Sequence, residues 1–156
     1  MGVTITGYSN IKITKNIIGD EKVHIESGGF EQSNMPHIEE CDYFDYEEGS
    51  NPYQSSYTYY GIFRDSLCKL SNNISQEKLW EMKDKSLKFY YLINFSDCEG
   101  YIGTSYCKII YDEFTKYEDE IISKLDAINP LYYKNTYLEL KEIFRLGSND
   151  GIVVFS

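Results

Sequence analysis

The chain has 156 residues, 42% of them hydrophobic, so it is long enough for one domain with a substantial core and too short for two. Its 15 basic and 25 acidic residues give a formal net charge of -10, which disfavours nucleic acids and anionic membranes as partners. No apolar run approaches the roughly 18 residues of a membrane-spanning helix, and neither a leader-like N-terminus nor a CxxC pair is present. The sequence therefore predicts a soluble protein of the reducing cytoplasm.

The N-terminal third predicts a strand followed by weakly patterned chain. Residues 3–8 alternate aliphatic and small polar side chains, and residues 11–13 repeat this pattern, which indicates an opening strand or hairpin. The pattern weakens over residues 19–54, interpreted as a loop-rich insertion with a short strand suggested at residues 23–26. The acidic residues 39–48 predict a solvated loop, because like charges with few aliphatic neighbours cannot form a core, and a docking surface is the alternative.

Helical spacing begins after this segment. An amphipathic helix over residues 57–70 is predicted by four apolar side chains at spacings of three and four: Tyr60, Phe63, Leu67 and Leu70. Ser75 is positioned to cap a short second helix. Six of the seven residues in the range 89–95 are aromatic or aliphatic, which predicts a central strand buried on both faces, followed by a polar turn.

The C-terminal half predicts two helices and a closing strand. Residues 104–128 keep helical spacing for six turns, so a single long helix is expected there. Asn129 and Pro130 supply a cap and a first-turn proline for a further helix that ends at Gly147. Residues 152–155 read as the last strand. The predicted fold is a single α+β domain over residues 1–156, with about four strands and about four helices.

Four segments resemble motifs of one protein family. The start MGVTITGY is similar to MGLDI-x-AY, SSYTYYGIFRDSLC to GSYSGY-x-x-WR-x-x-LA, LINFSDCEGYIG to LINFSDCDG-x-IG, and NDGIVVF to DNG-x-V-x-F. In this order they resemble a family of small proteins encoded by bacteria and their phages, which implies no particular activity. Ser55 and Tyr59 depart from the pattern by replacing two family-type glycines, and a tyrosine there would close or reshape a pocket.

The resemblance implies that nine residues lie in two motifs, and their side chains make them the candidate ligand-binding residues: Ser56, Tyr57, Tyr60 and Arg64 in the first, and Asn94, Ser96, Asp97, Glu99 and Gly100 in the second. Hydroxyls beside free amides at a helix start, with an arginine two turns on, can hold a phosphate or carboxylate while a tyrosine stacks on a base. A polar turn at a strand end, leading into a helix, is also a common place for ligands. The alternatives are a helix cap with a surface arginine and a turn whose polar groups satisfy only each other.

The sequence supports three functional hypotheses. The first is a non-catalytic binder of a small, nucleotide-derived molecule held between the two motifs, which in a phage would act as a sponge for a host defence signal and would form homo-oligomers through the long helix. The second is an acidic inhibitor that covers a basic protein surface with the acidic residues 39–48 and the tyrosines. The third is a metal-dependent phosphoester hydrolase that uses Asp97 and Glu99. No metal or cofactor is expected, because Phe95 and Tyr106 occupy essential ligand positions of the partial calcium-loop match.

Tyrosine is over-represented, with 16 residues. Its rigid ring and hydroxyl suit contact surfaces, because they provide area and hydrogen bonding at little entropic cost. An AT-rich coding sequence is the alternative explanation.

Overall fold

The computed structural model describes residues 2–14, 23–24, 43–95, 100–129 and 132–156. These residues contain eight strands: β1 (Gly2–Ser9), β2 (Lys12–Thr14), β3 (Val23–His24), β4 (Tyr43–Asp45), β5 (Glu48–Gly49), β6 (Tyr53–Ser56), β7 (Gly100–Gly103) and β8 (Ile152–Phe155). They also contain six helices: α1 (Tyr57–Asn72), α2 (Gln76–Met82), α3 (Tyr90–Ile93), α4 (Thr104–Lys116), α5 (Glu118–Ile128) and α6 (Tyr132–Gly147).

The main sheet has five antiparallel strands in the order β5-β1-β8-β7, and β6 also pairs with β1. Strands β1 and β8 are central, with Ile5 opposite Phe155. The first half of β1 pairs with β6, where Gly2 lies opposite Ser56, and its end pairs with β5. A second sheet has the order β2-β4-β3.

The two faces of the main sheet are covered differently. Alternation along β1 places Val3 and Ile5 in the large core that the helices form on one face. On the other face, Tyr101 and Val154 pack with Phe44 of β4, which is fully buried. The main sheet therefore lies between a layer of helices and the small second sheet.

The α+β prediction is confirmed, and so are several individual elements. Helix α1 covers the predicted residues 57–70, and Ser75 caps α2 by accepting a hydrogen bond from the Lys78 amide at 3.2 Å. Helix α6 and strand β8 lie where the sequence predicts them, and the Tyr132 amide donates to Asn129 Oδ1 at 3.4 Å. Among the described helices, none has the length and apolar character needed to cross a membrane.

The single long helix predicted over residues 104–128 is two helices, α4 and α5, which meet at Tyr117. The apolar periodicity continues through the break, so spacing alone does not reveal it. Charges do mark the break: Lys116 ends α4, and the first turn of α5 carries the acidic residues 118–120. Basic residues favour a helix C-terminus and acidic residues an N-terminus, because each complements the helix dipole.

The strand predicted over residues 89–95 is wrong, because this segment forms the short helix α3, and the nearby strand is β7. Phe89 adopts a left-handed conformation with φ of 59°, which an extended strand does not allow. Its amide donates to Glu113 Oε2 at 2.6 Å, while Asn72 exchanges two hydrogen bonds of 2.8 Å with the Lys88 main chain. Contacts distant in sequence thus fix the turn, and an all-apolar run does not distinguish a strand from a buried helix.

Two further expectations concern the N-terminal third. The opening strand is confirmed as β1, but β2 does not form a hairpin with it, since β2 pairs with β4 in the second sheet. In the acidic stretch predicted as a solvated loop, residues 43–45 form β4, and Phe44 provides the apolar side chain that the charge pattern obscured. Residues 39–42 of that stretch lie outside the described residues.

Gly7 allows α6 to lie directly on β1, and its substitution is expected to destabilise the protein. A Cβ at Gly7 would collide with the main-chain oxygen of Ile143 in α6, so Gly7→Ala is expected to cost about 2 kcal/mol or more of unfolding free energy. Gly61 in α1 is the matched control, because a Cβ there meets no atom within 4 Å. Gly61→Ala is expected to gain about 0.5–1 kcal/mol from helix propensity. Urea unfolding of both variants measures these values, and equal effects would contradict the packing argument.

Glu113 is expected to make stability depend on pH. Burial raises its pKa from 4.5 to about 7, although the Phe89 amide and Lys116 partly offset the rise. The folded protein holds this proton more tightly than the unfolded chain does. The contribution of Glu113 to the free energy of unfolding is therefore fully present below pH 4.5 and is lost as the pH rises through about 7. Relative to Glu113→Gln, which does not titrate, the loss amounts to roughly 3 kcal/mol. Urea unfolding at pH 5 and pH 8 tests this, and a constant difference between the two proteins would count against it.

Candidate functional site

A pocket of about 630 Å³ lies between the junction of β6 with α1 and the N-terminal half of α6. Its size is within the range of roughly 300–1,000 Å³ that is typical of small-molecule sites. Ten residues line it: Tyr53, Gln54, Ser55, Ser56, Tyr59, Asn129, Tyr132, Asn135, Thr136 and Glu139.

One wall of the pocket is the start of α1. Strand β6 runs along β1 as far as Ser56, which has an extended conformation and caps α1. Ser56 Oγ accepts a hydrogen bond from the Tyr59 amide at 3.1 Å, as expected for a helix N-cap. The strand-to-helix transition therefore places Ser55, Ser56 and Tyr59 together at the rim.

The opposite wall is one face of α6. Tyr132, Asn135, Thr136 and Glu139 follow one another at helical spacing and all line the pocket. The adjacent face of the helix carries core residues such as Tyr137, which is fully buried. Helix α6 thus contributes both to the core and to the pocket.

Two buried polar side chains belong to the lining. Tyr53 is 5% exposed and Thr136 is 4% exposed. The hydroxyls of Thr136 and Tyr59 lie 3.4 Å apart and share a hydrogen bond. Burial raises the pKa of Tyr53, and the nearby hydroxyls of Ser55 and Thr136 lower it in part. The Tyr53 hydroxyl is itself buried and has no hydrogen-bond partner within the described residues.

Aromatic rings contribute to the pocket lining through Tyr59 and Tyr132. The rings of Tyr59 and Tyr132 meet edge to face, with centroids 6.3 Å apart and an interplanar angle of 73°. Tyr59 also contacts Tyr133, at a centroid distance of 5.8 Å. The Tyr132 side chain is 63% exposed, so much of its ring remains available for contact with a ligand.

The first predicted motif divides between the pocket and the core. Ser56 lines the pocket, as do Ser55 and Tyr59, the two departures from the family-type glycines. Tyr57 is half-buried against the core, and Tyr60 is fully buried. Of the four residues predicted in this motif, Ser56 alone is among the ten lining residues.

Arg64 is buried, with 5% exposure, so the alternative of a surface arginine is wrong, whereas the Ser56 cap is confirmed. The Arg64 guanidinium donates to the carbonyl oxygens of Phe95 at 2.8 Å and Ile93 at 3.3 Å. It also lies over the Tyr60 ring, 4.7 Å from the centroid. These contacts join α1 to the end of α3, so Arg64 links the two predicted motifs through the main chain.

The second predicted motif is described only in part. Asn94 is exposed and caps the end of α3, and Gly100 is buried in β7 with φ of 121°, a conformation that favours glycine. Ser96, Asp97 and Glu99 lie outside the described residues. Their predicted role in ligand binding stays a prediction.

Sequence reasoning missed the α6 wall and β6. The signal in α6 was a polar and aromatic stripe, Tyr132, Asn135 and Glu139, beside the apolar stripe that dominated the helix assignment. Tyr53 and Gln54 fell at the end of the segment interpreted as a loop-rich insertion. An alternating strand that ends in a helix cap, as residues 53–56 do, would have located them.

Metal and thiol chemistry gain no support from the described residues. No group of three or more histidine, cysteine, aspartate or glutamate side chains among them is arranged to hold a metal ion. Cys68 and Cys107 are buried, and burial raises the pKa of both thiols, which makes them poor nucleophiles. Because Asp97 and Glu99 are not described, the hydrolase hypothesis stays a prediction.

Comparisons of the chain with protein families, curated proteins and solved structures found no match. The resemblance to a bacterial and phage family therefore stays a prediction. The functional interpretation below rests on the pocket itself.

Arg64 is expected to be structurally important. Arg64→Met keeps most of the apolar stem but removes two charge-assisted hydrogen bonds, so about 2–3 kcal/mol of unfolding free energy should be lost. Arg145→Met is the matched control, since Arg145 is paired with Glu142 on the surface and its side chain is 43% exposed. Exposed pairs contribute up to about 1 kcal/mol. Urea unfolding compares the two variants, and a smaller loss at Arg64 than at Arg145 would refute the assignment.

Proposed function

We propose that this protein is a non-catalytic binder that captures a small molecule, with nucleotide-derived compounds as the candidate class. The observation that carries the proposal is the pocket between the β6–α1 junction and α6, which combines a volume of about 630 Å³ with the exposed ring of Tyr132 and the side-chain amides of Gln54 and Asn135. A concave site with aromatic walls and a few convergent polar groups is the usual form of a ligand site.

The lining favours binding over catalysis. Among the ten described lining residues, Glu139 is the only carboxylate, and none is histidine, lysine or cysteine. Ser56 Oγ accepts a hydrogen bond from the Tyr59 amide, and the ten lining residues offer no histidine or lysine as a base to activate it as a nucleophile. What remains is a surface of rings, amides and hydroxyls, which suits recognition of a planar molecule with several polar atoms.

In a phage, such capture would deplete a host defence signal without consuming it. Binding without turnover requires a protein concentration at least comparable to that of the ligand. A purified protein of this kind is therefore expected to carry its ligand at a fixed ratio when it is isolated from cells that make the ligand.

Filling the pocket is expected to abolish ligand binding. Asn135→Trp places a large ring inside the cavity, whereas Leu138→Trp places the same ring on the same helix, at a 38% exposed position that does not line the pocket. Thermal melts with nucleosides, nucleotides, cyclic nucleotides and ADP-ribose derivatives should show a rise in Tm with at least one compound. Stabilisation of about 2.7 kcal/mol is expected at a hundredfold excess of ligand over Kd.

The Leu138→Trp control should retain the full shift, and Asn135→Trp should lose it. Mass spectrometry of small molecules that remain bound through purification provides an independent readout of ligand identity. A flat response across the panel, with no co-purified molecule, would reject small-molecule capture. An equal shift in both variants would place binding outside this pocket.

A further inference from the structure

The charge of the pocket lining is unsuitable for a phosphate. Among its ten residues, Glu139 is the only charged side chain. Lys134, which precedes the lining residue Asn135 in α6, is exposed and does not belong to the lining. Proteins hold phosphates with arginine, lysine or free amides at a helix start. Here the Ser56 side chain already occupies the Tyr59 amide at the start of α1, and the whole chain carries a formal charge of -10.

The aromatic groups are suited to a flat ligand. Tyr132 is 63% exposed at the pocket, and its ring lies next to the Tyr59 ring in a T-shaped contact. An aromatic ring that is this exposed offers surface for stacking, and stacking of a base on an aromatic side chain contributes binding energy whatever the base.

The polar groups provide both donors and acceptors around this ring. Gln54 and Asn135 carry side-chain amides, each with an acceptor oxygen and a donor nitrogen, and Glu139 accepts only. Nucleobases and ribose present the complementary mixture of amino groups, ring nitrogens, carbonyls and hydroxyls at their edges.

We infer that the pocket recognises an uncharged nucleoside or nucleobase, and that a phosphate on the ligand opposes binding. The base stacks on Tyr132, the amides of Gln54 and Asn135 bind its edge, and Glu139 accepts from a ribose hydroxyl or an amino group. This inference rests on the proposed function and specifies its ligand. It replaces the phosphate-holding role that the sequence suggested for this helix start with recognition of the neutral part of the molecule.

The test is isothermal titration calorimetry with adenosine, guanosine, cytidine and uridine, each compared with its 5′-monophosphate. At least one nucleoside should bind, and its monophosphate should bind about tenfold more weakly because of repulsion by Glu139. Glu139→Gln should reduce the difference in affinity between the nucleoside and its monophosphate. Tyr132→Ala should weaken nucleoside binding about tenfold, while Tyr132→Phe should preserve it. Ile62→Ala is the control for loss of an exposed apolar side chain, since Ile62 is 49% exposed and does not line the pocket.

The outcomes separate this inference from the proposed function. A monophosphate that binds as tightly as its nucleoside, or more tightly, would overturn the inference and leave small-molecule capture standing. The inference would also be overturned, with small-molecule capture left standing, if no nucleoside binds but another compound of the melting panel raises the Tm of the unsubstituted protein and not that of Asn135→Trp. If no compound binds by calorimetry or by melting, both proposals fail. Circular dichroism of each variant confirms that lost binding does not reflect lost folding.

Discussion

The close contact between α6 and β1 determines where the other parts of the structure lie. Gly7 brings its strand so near to α6 that the Ile143 carbonyl occupies the space of a side chain. Gly147, at the end of the same helix, is packed against Cys107 and Val153 with similarly little room. Helix α6 is thereby fixed on the centre of the sheet, and its N-terminal half extends toward the junction of β6 and α1. The position of one pocket wall thus depends on glycines that are distant from the pocket.

Sequence patterns correctly predicted the helices and strands that bury one face. They failed where contacts distant in sequence determine the secondary structure. Helix α1 and strand β1 have clear periodicity and lie where it places them. The apolar residues 89–95 have no periodicity, and their helical turn is imposed by Glu113 and Asn72 from other elements. In such a run, composition predicts burial correctly and secondary structure poorly, because both a strand and a helix can be apolar on all sides.

The sequence indicated one wall of the candidate site, the start of α1, but not the other wall, which is on α6. Ser56 at a helix start has a local signature, so its cap follows from the sequence, whereas its place at the rim of a pocket against α6 is shown only by the structure. Arg64 shows the limit of that reasoning, because a charged residue two turns into an amphipathic helix suggests an exposed ligand contact. The structure instead buries its guanidinium against main-chain carbonyls. Which elements face each other across the pocket is a property of topology, and Asn135 has no local feature that links it to Ser56.

The excess of tyrosine has two structural explanations, and only exposure separates them. Tyr60 and Tyr137 are fully buried, and the Tyr137 hydroxyl donates to the Phe114 carbonyl at 2.6 Å, so these rings belong to the core. Tyr132 is of the same residue type on the same helix as Tyr137, yet it remains largely exposed beside Tyr59. Ring-to-ring contacts continue from the core into the pocket, so tyrosines occur in both. Tyrosine abundance therefore signals function only at positions where folding leaves a ring outside the core, and in α6 that position is the one at the pocket.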